Sequence, residues 1–357
     1  MNSSKITGTG AYIPSVKKDN SAFANEHFLN EDGSPFTSGN DLIIEKFKAI
    51  TGIAERRYAK PAYNTSDLAF FASQKAIEDA GVNPEELDYI ILAHNFGDVQ
   101  HQTIQSDNLP NLATRVKFKL GIENPNCVAY DILFGCPGWV EGVIQAQAYI
   151  KAGMAKRCLV IGAETLSRVV DPYDRDSMIY ADGSGAIILE SDKSDDCGIL
   201  SHNSATYTFE GENEFIYYGS SYHPEINKNS NQKYIKMQGR KVYEFALTNV
   251  PAAMKDCFDE SNCKIENLKK IFIHQANKKM DEAIIKRFYR LYKTSPPVDV
   301  LPMNIEEYGN SSVATVPTLY DMVLQGKLAG HEVKAGQKVL FASVGAGMNI
   351  NAFSYQV

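Results

Sequence analysis

An α/β fold made of two similar halves is what this sequence predicts, on three observations. Short segments rich in Ile, Leu, Val and Phe recur along the chain, each followed by a polar or Gly-rich turn and then a helical pattern. Two such segments resemble two others at nearly half the chain length. Leu87–Ala93 resembles Leu268–His274, 181 residues on, and Lys151–Gly153 leading into Leu159–Ala163 resembles Lys334–Gly336 leading into Val339–Ser343, 180 residues on. The order of strands is the same in both, as an internal duplication would leave it. Third, 357 residues at roughly 150 per domain allow about two units. The halves are expected over 1–195 and 196–357, divided in the polar stretch Ser191–Asp196, and 203–232, rich in Asn, Ser, Tyr and Gly, reads as an irregular insertion.

Composition narrows the function. Hydrophobic residues at 44% and charged residues at 22% fit a globular chain and exclude a disordered or fibrous one. A net charge of −7 argues against a general nucleic-acid surface. No apolar run approaches the roughly 18 residues a bilayer span requires, and Met1–Lys5 lacks the basic and apolar regions of a secretory signal, so no membrane role and a cytoplasmic home are expected. Six irregularly spaced cysteines suit neither a disulfide framework nor a paired-Cys zinc site; a special cysteine here would be catalytic.

In chain order, the first such turn is Gly135-Cys136-Pro137-Gly138, between the strand Val128–Phe134 and the helical run Trp139–Ala152. Pro suits the first helical position, which makes Cys136 the N-cap, facing the positive end of the helix dipole, where a thiolate is favoured. Flanking glycines allow a substrate carbonyl to approach closely. The equal alternative is a small buried structural cysteine. The second is His274, at the carboxyl end of Ile271–Ile273, where α/β folds place ligands and an imidazole serves as base or donor. His94 and His101 share a loop region that a solvated role explains as well. The third is Tyr308-Gly309-Asn310-Ser311-Ser312, opening the run Val313–Leu324, where Asn310 or a serine reads as a helix cap. Last, Gly345-Ala346-Gly347 separates Val339–Phe341 from Ile350–Phe353 and could turn backbone N–H groups toward a developing oxyanion.

Together these motifs resemble the condensing enzymes of the thiolase superfamily, most nearly the β-ketoacyl-(acyl carrier protein) synthase III family. Thr51–Arg57 and Asp182–Ala186 extend the resemblance over nearly the whole chain. The resemblance implies a five-layered αβαβα body of two duplicated halves, usually a homodimer, with a Cys136, His274, Asn310 active site. It further implies that Cys136 takes an acyl group from a thioester, with the backbone N–H groups of Cys136 and Ala346 holding the oxyanion. His274 and Asn310, as donors, would hold the enolate left by decarboxylation of a malonyl or related thioester. Coenzyme A or carrier-protein thioesters are then substrates, and no metal or redox cofactor is expected.

The stretch Lys278–Lys293 carries six basic and two acidic residues in an acidic protein. Helical spacing puts Lys279, Lys286, Arg290 and Lys293 on one face, opposite Met280, Ile284, Phe288 and Leu291. In the resemblance the basic residues of this helix, here Lys279, Lys286, Arg287 and Arg290, dock an acidic carrier or coenzyme A phosphates. The chain departs from fatty-acid-making members in several places. Pro137 follows the nucleophile, Glu164 stands in Gly162-Ala163-Glu164-Thr165, the only tryptophan is Trp139, and there is extra length around 22–39 and 203–232. These departures resemble secondary-metabolic ketosynthases that join two acyl units and cyclise them to dialkylresorcinol-type products, with Glu164 a candidate second acid/base or a structural acceptor. A non-catalytic partner subunit and a Cys-dependent thioesterase are the remaining alternatives.

Overall fold

The computed structural model describes residues 3–192 and 197–357; the boundary expected at 195/196 falls outside them. One sheet holds β1 (Ser3–Tyr12), β2 (Tyr89–His94), β3 (Val128–Leu133), β4 (Arg157–Thr165) and β5 (Asp182–Asp192) in the order β1-β5-β4-β2-β3. The second holds β6 (Gly198–Thr206), β7 (Leu268–Ile273), β8 (Lys338–Gly345) and β9 (Asn349–Gln356) in the order β6-β9-β8-β7. Strand senses repeat as well: β1 and β4 run antiparallel to β5 with β2 parallel to β4, and β6 and β8 run antiparallel to β9 with β7 parallel to β8. The duplication is therefore real at the level of topology.

The principal helices, in chain order, are α1 (Asn40–Thr51), α2 (Thr65–Ala80), α3 (Gly138–Lys151), α4 (Gly239–Glu260), α5 (Lys278–Leu291) and α6 (Thr315–Leu324). Helices α3 and α6 form the middle layer. Their Trp139, Val143, Leu319 and Tyr320 pack with Val160 and Ile187 of one sheet and Phe341 and Phe353 of the other. Trp139 is wholly buried there, 6.0 Å from the Phe341 ring, so it fills core between the sheets. Outside, Ala69, Ala72 and Ala76 of α2 cover Leu159 and Ile161, while α4 and α5 cover Ile271 and Leu340 with residues such as Met254 and Phe288. Helix, sheet, helix, sheet, helix is the five-layered order expected.

The faces settle the repeat. Val160 and Phe341 both point into the middle layer, and Leu159 and Leu340 both point outward, a spacing of 181 residues. The expected match of Leu159 with Val339 is one residue off, because Val339 faces the middle layer and a one-residue slip exchanges the faces of a strand. The spacing of 181 read from Leu87 and Leu268 holds, since Ile91 and Phe272 both point inward.

The stretch 203–232 is more regular than its composition indicates. Its start completes β6, and Ile216–Gly219 pairs with Tyr234–Met237 in a hairpin. A buried ammonium fastens that hairpin to the first half: Lys236 Nζ lies 2.7 Å from Asp171 and 3.1 Å from Asp174. Such a cluster tolerates loss of one member poorly, because an uncompensated charge stays behind.

Candidate active site

Cys136 sits where β3 ends and α3 begins. The helix starts at Gly138 with Pro137 as its N-cap, so Cys136 lies one residue further out than expected. The Gly345–Ala346 end of β8 packs against this turn backbone to backbone. A Cβ on Gly345 would lie 2.6 Å from the Cys136 nitrogen, and one on Gly135 would lie 2.6 Å from the Ala346 nitrogen. Only two glycines let these chains approach so closely, and the contact brings the Cys136 and Ala346 backbones together. Burial pushes the thiol up to about 11, with the nearby Glu164 charge adding to the rise and a hydrogen bond from Ser312 opposing it. Cys136 is half-buried, and its desolvation works against the thiolate that a nearby helix start favours.

His274 follows β7, buried, with its ring pushed down to about 4 because desolvation disfavours the cation. It is neutral at physiological pH. Its Nδ1 lies 2.7 Å from Thr315 Oγ1, and Thr315 Oγ1 lies 2.9 Å from the Ser312 carbonyl oxygen. When the hydroxyl donates to Ser312, Nδ1 carries the ring hydrogen and Nε2 is bare; when it turns to Nδ1, Nε2 becomes the donor the sequence analysis assigned to this ring. Asn310 is buried beside it. Its Oδ1 accepts the Ser312 N–H at 2.7 Å, its backbone bonds Ile179 and Ala181, and no acceptor among the described residues meets its Nδ2. Asn310 thus forms a local turn instead of the helix cap expected of it, and its donor end is unengaged.

Glu164, near the end of β4, is buried, and desolvation pushes its carboxyl up to about 7. Its Oε1 accepts two N–H groups of Asn95, from the backbone at 2.8 Å and from Nδ2. Asn95 Nδ2 also reaches Ser312 Oγ at 3.0 Å, and Ser312 Oγ donates to Cys136 Sγ at 3.2 Å. From the sequence Ser312 is at most a helix cap, and neither Asn95 nor Thr315 stands out. No local pattern marks Asn95; it is found only by following the hydrogen bonds. His94 is a structural group, with Nε2 on Asp131 at 2.9 Å and Nδ1 accepting the Gly97 N–H, while His101 is exposed on the surface.

Of the expected docking residues, Lys279, Lys286, Arg287 and Arg290 are all exposed on α5, and Leu291, expected on the apolar face, is exposed too. Arg287 has a second commitment. Pro251 inside α4 has no N–H to offer the Leu247 carbonyl, and Arg287 Nη1 donates to that oxygen at 2.7 Å. Next to this helix lies a cavity of about 620 Å³, walled by apolar residues such as Phe47, Ile179, Met237 and Met280, with Ala276 and Asn277 just beyond His274. Lys46, Arg175 and Arg240 also line it. A smaller groove alongside is lined by Lys48, Lys278 and Lys279.

A duplicated five-layer body with a cysteine, a histidine and an asparagine gathered where its halves meet defines the class of thiolase-fold condensing enzymes. The chain belongs to the 3-oxoacyl-[acyl-carrier-protein (ACP)] synthase III family, whose model matches residues 130–208 and whose C-terminal model matches residues 258–357. It is 33% identical over 345 residues to β-ketoacyl-[acyl-carrier-protein] synthase III 1 of Vibrio vulnificus, covering 96% of each chain. It is likewise 33% identical over 360 residues to the β-ketoacyl-[acyl-carrier-protein] synthase III of Clostridium perfringens, covering 99% of this chain and 98% of that one. The crystal structure of 3-oxoacyl-[acyl-carrier-protein] synthase III from Aquifex aeolicus superposes with a TM-score of 0.80 at 28% identity, covering 99% of this chain and all of the other.

Proposed function

We propose that this condensing enzyme loads an acyl group from coenzyme A or a carrier protein onto Cys136 and then extends it by decarboxylative Claisen condensation with a malonyl or related β-carboxyl thioester. One observation carries the reading: Cys136 from one half of the chain and His274 and Asn310 from the other converge on Ser312, Cys136 and Asn310 directly and His274 through Thr315. Cys136 Sγ gives up its proton and attacks the thioester carbonyl, the N–H groups of Cys136 and Ala346 hold the oxyanion, and the departing thiolate takes up the proton that Cys136 released. The second thioester loses carbon dioxide, and its enolate oxygen is held by Asn310 Nδ2 and by His274 Nε2–H, with the Thr315 hydroxyl turned to Nδ1. The enolate carbon then attacks the acyl-enzyme carbonyl and Cys136 is released. Side-chain and backbone groups cover every step, so the proposed reaction uses no resident cofactor.

The apolar cavity next to α5, with Lys46, Arg175 and Arg240 beside Asp176 and Glu244 on its lining, suits a phosphopantetheine arm whose phosphates meet the cations. The exposed cations Lys279, Lys286 and Arg290 of α5 suit an acidic carrier protein, and Arg287 contributes through whatever part of its guanidinium the Leu247 carbonyl does not occupy. A homodimer is part of the proposal. It is supported by β3, an edge strand with Val128 and Leu133 exposed, and by exposed Leu109 and Phe118; a monomer by sedimentation would remove that part. We place the enzyme in the cytoplasm; among the described residues no helix is long and apolar enough to cross a membrane.

A second reading, condensation of two acyl thioesters followed by ring closure, is favoured by the buried Glu164 carboxyl so near Cys136, poised as an acid or base. Intact-mass measurement after incubation with acyl-coenzyme A tests the core of both readings. An acyl adduct that Cys136→Ala abolishes is expected, and no adduct on the wild-type protein overturns them. Product release by malonyl-carrier rather than β-ketoacyl-carrier separates the first reading from the second.

A further inference from the structure

Ser312 bonds Cys136 and Asn310 directly and reaches His274 through Thr315, each by a different group. Its hydroxyl donates to Cys136 Sγ, its N–H donates to Asn310 Oδ1, and its carbonyl accepts from Thr315, the partner of His274. It does so in a conformation serine seldom adopts, with φ of +51°. Non-Gly residues held in this region cost free energy and cluster at functional sites. The hydroxyl is not free to rotate. Asn95 Nδ2–H occupies an Oγ lone pair at 3.0 Å, so the Ser312 hydrogen is left for the sulfur, and Asn95 is itself held by Glu164 through two N–H groups.

We propose that Ser312 is a further catalytic residue, whose hydroxyl hydrogen-bonds the Cys136 thiolate, and that Asn95 and Glu164 are positioning residues that aim it. The proposal rests on Cys136 being the nucleophile. The chemistry explains why the chain needs such a donor. The thiol lies in a desolvated site that resists ionisation, the Glu164 carboxyl opposes it from β4, and Tyr180 and His274, the other titratable groups at the site, are neutral there. A hydrogen bond to a charged acceptor is among the stronger kinds available in a dry site, and it is made only to the ionised sulfur with full strength. Ser312 thereby supplies at the sulfur what the helix terminus alone does not.

The test is the pH–rate profile of Cys136 alkylation by iodoacetamide, followed on its own peptide by mass spectrometry so that the other five cysteines do not interfere. Ser312→Ala is expected to move the profile up by about one pH unit, so that alkylation slows roughly tenfold at any fixed pH below the midpoint. Asn95→Ala is expected to move it the same way by less, because the hydroxyl remains but is no longer aimed. Ser312→Gly relaxes the positive φ while removing the hydroxyl, so it must reproduce the Ser312→Ala shift even if alanine disturbs the turn. An unchanged or lowered profile in both Ser312 variants overturns the proposal. Loss of the nucleophile reading looks different: wild-type protein would then form no acyl adduct on Cys136, whatever the alkylation profiles show.

Discussion

The two halves of this molecule share one scaffold and almost none of its chemistry. At the spacing of 181 that the strand faces define, His274 of the second half stands where the first half has Ala93, and Glu164 of the first half stands where the second has Gly345. His94, which follows Ala93, matches Gln275 instead. Both are inward-tied groups that hold neighbouring loops, His94 through the Gly97 N–H and Gln275 through the N–H groups of Asn304 and Ile305. Gly345 shows why the exchange is lopsided, since a side chain there would collide with the Cys136 backbone at 2.6 Å. The central strands preserve the duplication because they are buried on both faces; the turns after them are where one half acquired a thiol and a carboxyl and the other a pair of neutral donors.

This division of labour can be broken by experiment. Removing the sulfur should have the largest effect: Cys136→Ala is expected to abolish both the acyl adduct and condensation, measured by intact mass and product formation. His274→Ala and Asn310→Ala should each leave the adduct intact while lowering condensation by about 10² to 10³-fold, the size typical of a lost oxyanion donor. If either also prevents loading, the split between halves is not the right description. Reversing Lys279 and Lys286 to Glu should raise KM several-fold for carrier-bound substrates and less for small thioesters; equal effects would remove α5 as the docking face. The smallest effect is on stability. Glu164 has a folded-state pKa raised to about 7, so its carboxyl sits comfortably below the unfolded value near 4.5 and becomes a buried charge as pH rises through 7. Glu164→Gln should therefore raise Tm by roughly 2–6 °C at pH 8 and by almost nothing at about pH 4, read by thermal melts at both.

Much of this was legible in the sequence. The strand pattern announced the duplication because buried strands need apolar runs, and Cys136, His274 and Asn310 stood out because Gly and Pro flank the first and rare motifs carry the others. What escaped was set by long-range contact. Ser312 and Asn95 are 217 residues apart, and nothing local in either segment tells of their hydrogen bond. The upward push on the Cys136 thiol escaped for a related reason: its place near a helix start is local, while the close approach of β8 to it comes from the other half of the chain. The length of the hairpin stretch hid its order too, since Lys236 finds its partners 62 and 65 residues upstream.

The shared middle layer also has a consequence for how the protein is made. During synthesis the first sheet and α3 emerge well before α6, Phe341 and Phe353, the residues that cover their inner face. Val160, Ile187 and Trp139 therefore stay exposed until those later residues have been made. The nascent first half presents a wide sticky surface that only its own sequel can close, so the chain should depend on holding chaperones during translation and should rescue poorly when the two halves are produced as separate pieces.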